Sequence, residues 1–139
     1  LLGLLSMSAL SDLVFSPTLV RHPRLKVVLA EGGVGWMPYF IERLDQVWHK
    51  QRHHSKVNVE KMPSECFRDN IWGCFITDRS GIEARARIGV DKIMFEADFP
   101  HSDTQWPNSR KLLADQLADV PEAEARKIAG ENAAALFRV

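Results

Sequence analysis

The stretch Gly89-Val90-Asp91-Lys92-Ile93-Met94-Phe95-Glu96-Ala97-Asp98-Phe99-Pro100-His101 reads as a strand together with what the strand delivers. An apolar run beginning at Ile93 passes through Ala97 and ends on Asp98, turns at Pro100 and presents His101. A parallel strand of this design carries an acid to the C-terminal edge of its sheet, where loops collect functional groups. A second strand is built in the same way. Lys26-Val27-Val28-Leu29-Ala30 leads into Glu31, and Gly32-Gly33 breaks it. Two strands whose polar ends open onto turns predict a site at one edge of a sheet, without naming its reaction.

Outward from these strands the chain alternates strand and helix. Lys26–Glu31 is followed by a helix whose apolar residues Met37, Phe40, Ile41, Leu44, Val47 and Trp48 recur near every 3.6 positions, with Glu42, Arg43 and Asp45 off that face. Asn70–Ile76 is a further strand; Asp78 then caps a helix that runs to Ile88 and stops at Gly89. Ile93–Ala97 is the third strand, followed by a helix over about Asn108–Leu117 that buries Leu112, Leu113 and Leu117. A closing helix starts near Pro121, pauses near Gly130 and finishes through Leu136 and Phe137. Nearly all-apolar strands alternating with helices predict an α/β fold with a parallel sheet covered by helices. The polar segment from His49 to Arg68, with Pro63 inside it, reads as a long loop.

Composition narrows the function classes. The chain has 139 residues, 45% hydrophobic and 26% charged, which suits a soluble globular domain. Its 18 basic and 18 acidic side chains cancel, so a nucleic-acid partner, which would need a basic excess, is not expected. No segment reads as a membrane span or a signal peptide: the apolar start Leu1-Leu2-Gly3-Leu4-Leu5 is too short and lacks a basic flank. Cys66 and Cys74 do not make a disulfide framework and read as buried free thiols of a reducing, cytoplasmic compartment. Leu1–Phe15 reads as the tail of a helix that starts upstream, so the chain is expected to be a fragment.

Three motifs carry a family resemblance. Glu31-Gly32-Gly33-Val34-Gly35-Trp36-Met37-Pro38 after one strand, Met94-Phe95-Glu96-Ala97-Asp98-Phe99-Pro100-His101 after another, and Gly130-Glu131-Asn132-Ala133-Ala134-Ala135-Leu136-Phe137 at the end resemble the amidohydrolase-2 type of metal-dependent hydrolase. That group includes aminocarboxymuconate-semialdehyde decarboxylase and the resorcylate decarboxylases. The resemblance runs from about Leu13 to Val139. It implies a TIM-type (β/α)8 barrel with a divalent metal at its C-terminal mouth. Such a barrel needs about 250 residues, so residues 1–139 are expected to be its last three βα units plus a closing helix, an incomplete barrel. Of the family's metal ligands only the final aspartate maps here, onto Asp98; the others would lie before Leu1. The resemblance therefore implies a divalent metal, zinc first and manganese second, held only with those further ligands. Many members have a histidine where this chain has Glu31, which leaves open whether Glu31 does acid–base work or shapes the pocket.

Each candidate has a plainer reading beside it. Asp98 can coordinate a metal and take a proton from metal-bound water, or it can cap the Phe99-Pro100 turn. Glu31 can serve as general base, or as a partner for the helix beginning near Trp36. His101 can contact a substrate carboxylate or support the metal, or stand free on a loop. Trp36, Phe99 and Trp106 can wall a ring-shaped substrate, or pack in the core. Glu96 shares a strand face with Asp98 and reads as packing. His49, His53 and His54 lie among Lys50 and Arg52, cations that oppose a metal, and read as a solvated helix end, like the exposed faces expected for Arg85, Arg87, Arg110 and Lys111. The expected parent is thus a metal-dependent enzyme that hydrolyses, or decarboxylates, a small organic acid, amide or ester, aromatic ones included, with a homodimer open to the full-length protein. The alternative is a catalytically silent fragment or assembly piece.

Overall fold

The computed structural model describes residues 2–139. Helix α1 (Leu2–Phe15) and the single turn α2 (Thr18–Arg21) precede strand β1 (Val27–Leu29). Helices α3 (Met37–Gln51) and α4 (Pro63–Asn70) lead to β2 (Ile71–Phe75). Two short helices, α5 (Arg79–Glu83) and α6 (Arg85–Ile88), and a 3-10 turn at Val90–Lys92 lead to β3 (Ile93–Phe95). Helix α7 (Ser109–Gln116) follows. Then α8 (Glu122–Arg126) passes through a π-helical turn at Lys127–Glu131 into α9 (Asn132–Phe137). The expected α/β architecture is present: three parallel strands in the order β1–β2–β3, with Val27 opposite Ile71 and Gly73 opposite Ile93.

Strand alternation divides the sheet into two faces. Leu29, Ile71, Phe75 and Ile93 point to the helical side and join Leu10, Val14, Leu44, Phe67 and Ile128 in one core. A Cβ at Gly73 would lie 2.3 Å from Met37 Cε and 2.7 Å from Val34 Cγ1, so only glycine lets the start of α3 lie against β2. The opposite face carries Trp72, Cys74, Met94 and Glu96. Lys26 and Lys92 stand over the Trp72 ring, 5.1 Å and 3.6 Å from its centroid.

Several expectations change. The segment 49–68 is not one loop: α3 runs on to Gln51, and Pro63 opens α4 instead of interrupting a loop. Proline suits a first helical turn, and the N-terminal end is closed by Glu65 Oε2 accepting the Met62 N–H at 2.9 Å. The remaining connection is pinned by buried Asn58. Its Nδ2 donates to Lys61 O at 2.7 Å and its Oδ1 accepts the Glu60 N–H at 2.9 Å. The helix after Asp78 breaks in two at Ala84, and the pause near Gly130 is the π-helical turn. Arg85 is not on an open face but half-buried against Glu124 at 2.6 Å. In the α7 region Leu117 is buried whereas Leu112 and Leu113 stay partly exposed, Leu113 lining a groove of about 700 Å³. The N-terminal helix is observed from Leu2, Leu1 lying outside the described residues. No helix among the described residues is long and apolar enough to cross a membrane.

Candidate functional site

β1 and β3 end on the same edge of the sheet, and there the backbone leaves the ordinary regions. Glu31 has φ 60° and Asp98 φ 50°. A non-glycine residue in the left-handed region costs about 1–3 kcal/mol and persists only where its surroundings hold it. Both positions are carboxylates, and both fall just past the end of a strand. The loop after Asp98 folds back through His101 N–H donating to Asp98 O at 2.8 Å and Thr104 N–H to His101 O at 3.1 Å. Thr104 Oγ1 then donates to Ala97 O at 2.5 Å, closing the loop on its own strand.

This folding brings three groups together. One ligand-type atom each from Glu31, Asp98 and His101 lies within 4.8 Å of the others, and His101 Nδ1 is 2.8 Å from Asp98 Oδ2. Asp98 is partly buried; Glu31 and His101 are exposed. Two carboxylate oxygens and an imidazole nitrogen are hard-to-borderline donors, a set that fits Mn2+ or Zn2+. The residues present therefore fit a divalent ion. Beside them a small cleft of about 170 Å³ is lined by Glu31, Gly33, Thr77, Asp103 and Gln105.

Two further carboxylates, neither assigned a site role by sequence, hold the strand ends. Glu96 Oε1 accepts the Glu31 N–H at 2.6 Å. Burial pushes the Glu96 carboxyl up, the Glu31 N–H pulls it down, and the charges of Glu31 and Asp98 add to the upward shift. Asp78 does more than cap α5: Oδ2 accepts the Val34 and Gly35 N–H groups at 2.6 and 2.7 Å, and Oδ1 the Gly81 N–H at 2.8 Å. Gln116 of α7 bridges the same turn, accepting from Asp78 N–H at 3.0 Å and donating to Ile76 O at 3.0 Å. The sequence signals for this clamp were Asp78 as a helix cap and the glycines at 32, 33 and 35, which let backbone N–H groups approach a side chain closely.

The aromatic candidates divide. Phe99 and Trp106 form an exposed edge-to-face pair, centroids 5.4 Å apart, on the loop that carries His101. Trp36 instead packs against Phe40 and donates its indole N–H to Gly32 O at 3.0 Å. His49, His53 and His54 are exposed, and His49 Nδ1 faces Arg52 at 3.2 Å rather than an acid. A larger cleft, about 780 Å³, opens at the other end of the sheet around Arg24, Lys26, Trp72 and Lys127, away from the converging acids.

Comparison with known proteins points one way. A family model described as amidohydrolase matches residues 5–139. Gamma-resorcylate decarboxylase of Rhizobium sp. (strain MTP-10005) is 31% identical over 127 residues, which is 86% of this chain and 36% of that protein. The structure of 5-carboxyvanillate decarboxylase LigW from Sphingomonas paucimobilis superposes with TM-score 0.78 at 24% identity, over 93% of this chain and 38% of that one. Dihydroxybenzoic acid decarboxylase of Polaromonas sp. JS666, solved with bound manganese and the inhibitor 2-nitroresorcinol, gives TM-score 0.73 at 22% identity over 98% and 39%. The chain thus spans little more than a third of the length of the relatives it matches.

Proposed function

The chain belongs to the amidohydrolase family, and from that membership we propose that it forms the last three βα units of a TIM-type (β/α)8 barrel whose parent decarboxylates a small aromatic acid. In such barrels the chemistry lies at the carboxyl ends of the strands. The observation that carries the reading is the convergence of Glu31, Asp98 and His101 within 4.8 Å at that edge.

The roles follow from placement. Asp98 is the metal ligand, and His101, through its 2.8 Å contact with Asp98 Oδ2, fixes which way that carboxylate faces. When bound there, a divalent metal, manganese by analogy with the Polaromonas neighbour rather than the zinc first expected, would supply positive charge to the substrate's acid group. Glu31 gives a proton to the ring carbon that bears the carboxylate. The C–C bond then breaks, its electron pair returns to the ring, CO2 leaves, and Glu31 regains a proton from water. The exposed Phe99–Trp106 pair offers an edge and a face to a flat substrate. Hydrolysis would use the same side chains; the activity of the relatives favours decarboxylation.

The test has two steps. Calorimetric titration of the chain with Mn2+ is expected to show one weak site, lost in Asp98→Asn. Full-length protein carrying this segment, loaded with Mn2+ and given gamma-resorcylate, is expected to release CO2 and the decarboxylated ring. No Asp98-dependent site in the chain and no CO2 from the full-length protein would leave the silent-fragment reading standing.

A further inference from the structure

Glu31 and Asp98 belong to strands that do not touch. The order is β1–β2–β3, so β2 separates them, and outer strands of such a trio lie roughly 9–10 Å apart. One side chain spans that gap. Glu96 follows directly on β3, and its own N–H donates to Phe75 O of β2 at 3.0 Å, which keeps it in register with the sheet. Phe95 faces the helical core, so Glu96 points to the other side, where its charge reaches Cys74. From there Oε1 receives the backbone N–H of Glu31 at 2.6 Å.

We propose that Glu96 is a positioning residue that holds Glu31 in its left-handed backbone conformation and so sets the Glu31 carboxylate beside Asp98. This rests on the proposed function, in which Glu31 moves the proton. Three observations converge on it. The bond is made to the backbone of Glu31, so it fixes the direction in which the side chain leaves the strand, whatever that side chain does. The residue held has φ 60°, a conformation that does not persist by itself. The rest of the turn is already anchored from the other side by Asp78, which takes Val34 and Gly35 but leaves Glu31 to Glu96. Two carboxylates from two different strands therefore divide the N–H groups of one turn between them. Only Glu96 also connects β1 to the strand that carries Asp98.

The side-chain chemistry of the hold is simple, which makes it testable. It needs an oxygen at the Oε1 position, not a charge. Glu96→Gln keeps that acceptor; Glu96→Ala removes it. In the 139-residue chain, hydrogen exchange followed by 15N NMR is expected to show a protected Glu31 amide in wild type and in Glu96→Gln. In Glu96→Ala that amide exchanges at least about 100-fold faster while those of Ile71–Phe75 keep their protection. A Glu31 amide unprotected in wild type or in Glu96→Gln, or equally protected in Glu96→Ala, overturns the proposal, so it stays open to failure even if the Ala variant does not fold. In the full-length, Mn2+-loaded protein, Glu96→Ala is expected to lower kcat about 10- to 100-fold at nearly constant KM, with Glu96→Gln restoring most of it. A general loss of structure would not be rescued by Gln in that way. Absence of decarboxylation in wild type sinks the proposed function alone, since the Glu31 amide still reports whether Glu96 holds the turn.

Discussion

Asn132 Nδ2 lies 2.8 Å from the carbonyl oxygen of Ile93, the first residue of β3, and 2.7 Å from that of Val90. One buried amide thus satisfies two acceptors where a 3-10 turn becomes a strand, and fastens the start of α9 to them. This is the asparagine of the Gly130–Phe137 motif, so that motif is structural at this position. Asn132→Asp places a carboxylate oxygen against two carbonyls. The expected loss is about 2–4 kcal/mol, and about 1–3 kcal/mol for Asn132→Ala, which leaves the carbonyls unpaired without repelling them. Urea unfolding measures both, and the ranking Asp below Ala is the decisive result.

Asp78 concentrates three backbone donors on one side chain, two of them from the turn that follows Glu31. Asp78→Ala is expected to cost about 2–4 kcal/mol, through the lost cap of α5 and the orphaned Val34 and Gly35 N–H groups. Asp78→Asn keeps one oxygen and should lose less. Gly35→Ala tests the same contact from the other side. Its Cβ would fall 2.8 Å from Asp78 Oδ1 and 2.8 Å from Ser80 Cβ, so the turn must open. Thermal unfolding of the three variants should place Asn nearest wild type.

Burial pushes the Cys74 thiol up to about 12, with the Glu96 charge adding to the shift, and raises Cys66 as well. The thiolate is the reactive form, and at pH 8 a thiol of that kind is ionised in only about one molecule in 10,000. Neither cysteine should react with a disulfide reagent in the folded chain, whereas both should react at once in urea. The sign of the stability effect follows. Each thiol ionises more readily when unfolded, near 9.0, so its contribution is intact below that pH and is lost as the pH rises toward the folded value. Stability measured between pH 8 and 11 should therefore fall, and less so in Cys74→Ala relative to its own neutral-pH value.

Much of this was legible in the sequence. The three strands stand out because each is an apolar run with a polar or glycine stop, and α3 because its apolar residues keep helical spacing. Glu31, Asp98 and His101 could each be named from the ends of those strands. Their convergence could not. It depends on strand order and on two left-handed residues, neither of which a local pattern encodes. Helix α4 hid because Ser64, Glu65, Arg68, Asp69 and Asn70 make it polar, and its signals, Pro63 at the first turn and Glu65 two residues on, are short-range. The holding roles of Glu96 and Asp78 rest on contacts 65 and 44 positions away.

The strain at Glu31 allows a test that separates stability from chemistry. With φ at 60°, any residue carrying a Cβ there bears a conformational cost of about 1–2 kcal/mol that glycine does not. Glycine also gives up more freedom on folding, which offsets about 0.5–1 kcal/mol of that gain. Glu31→Gly should thus be more stable than wild type by up to about 1 kcal/mol, raising Tm by about 2–4 °C in a chain of this size. Glu31→Ala, which keeps the Cβ, should stay near wild type, and Glu31→Val should fall below it because a β-branched side chain fits the left-handed region worst. All three keep the backbone N–H that Glu96 accepts, so the turn is preserved. All three remove the carboxylate, so the decarboxylation proposed for the full-length protein should vanish throughout the series. Stability that rises while activity is lost is the mark of a residue kept in a costly conformation for its chemistry. A Glu31→Gly chain less stable than wild type would instead mean that the carboxylate contributes more to the fold than its backbone costs.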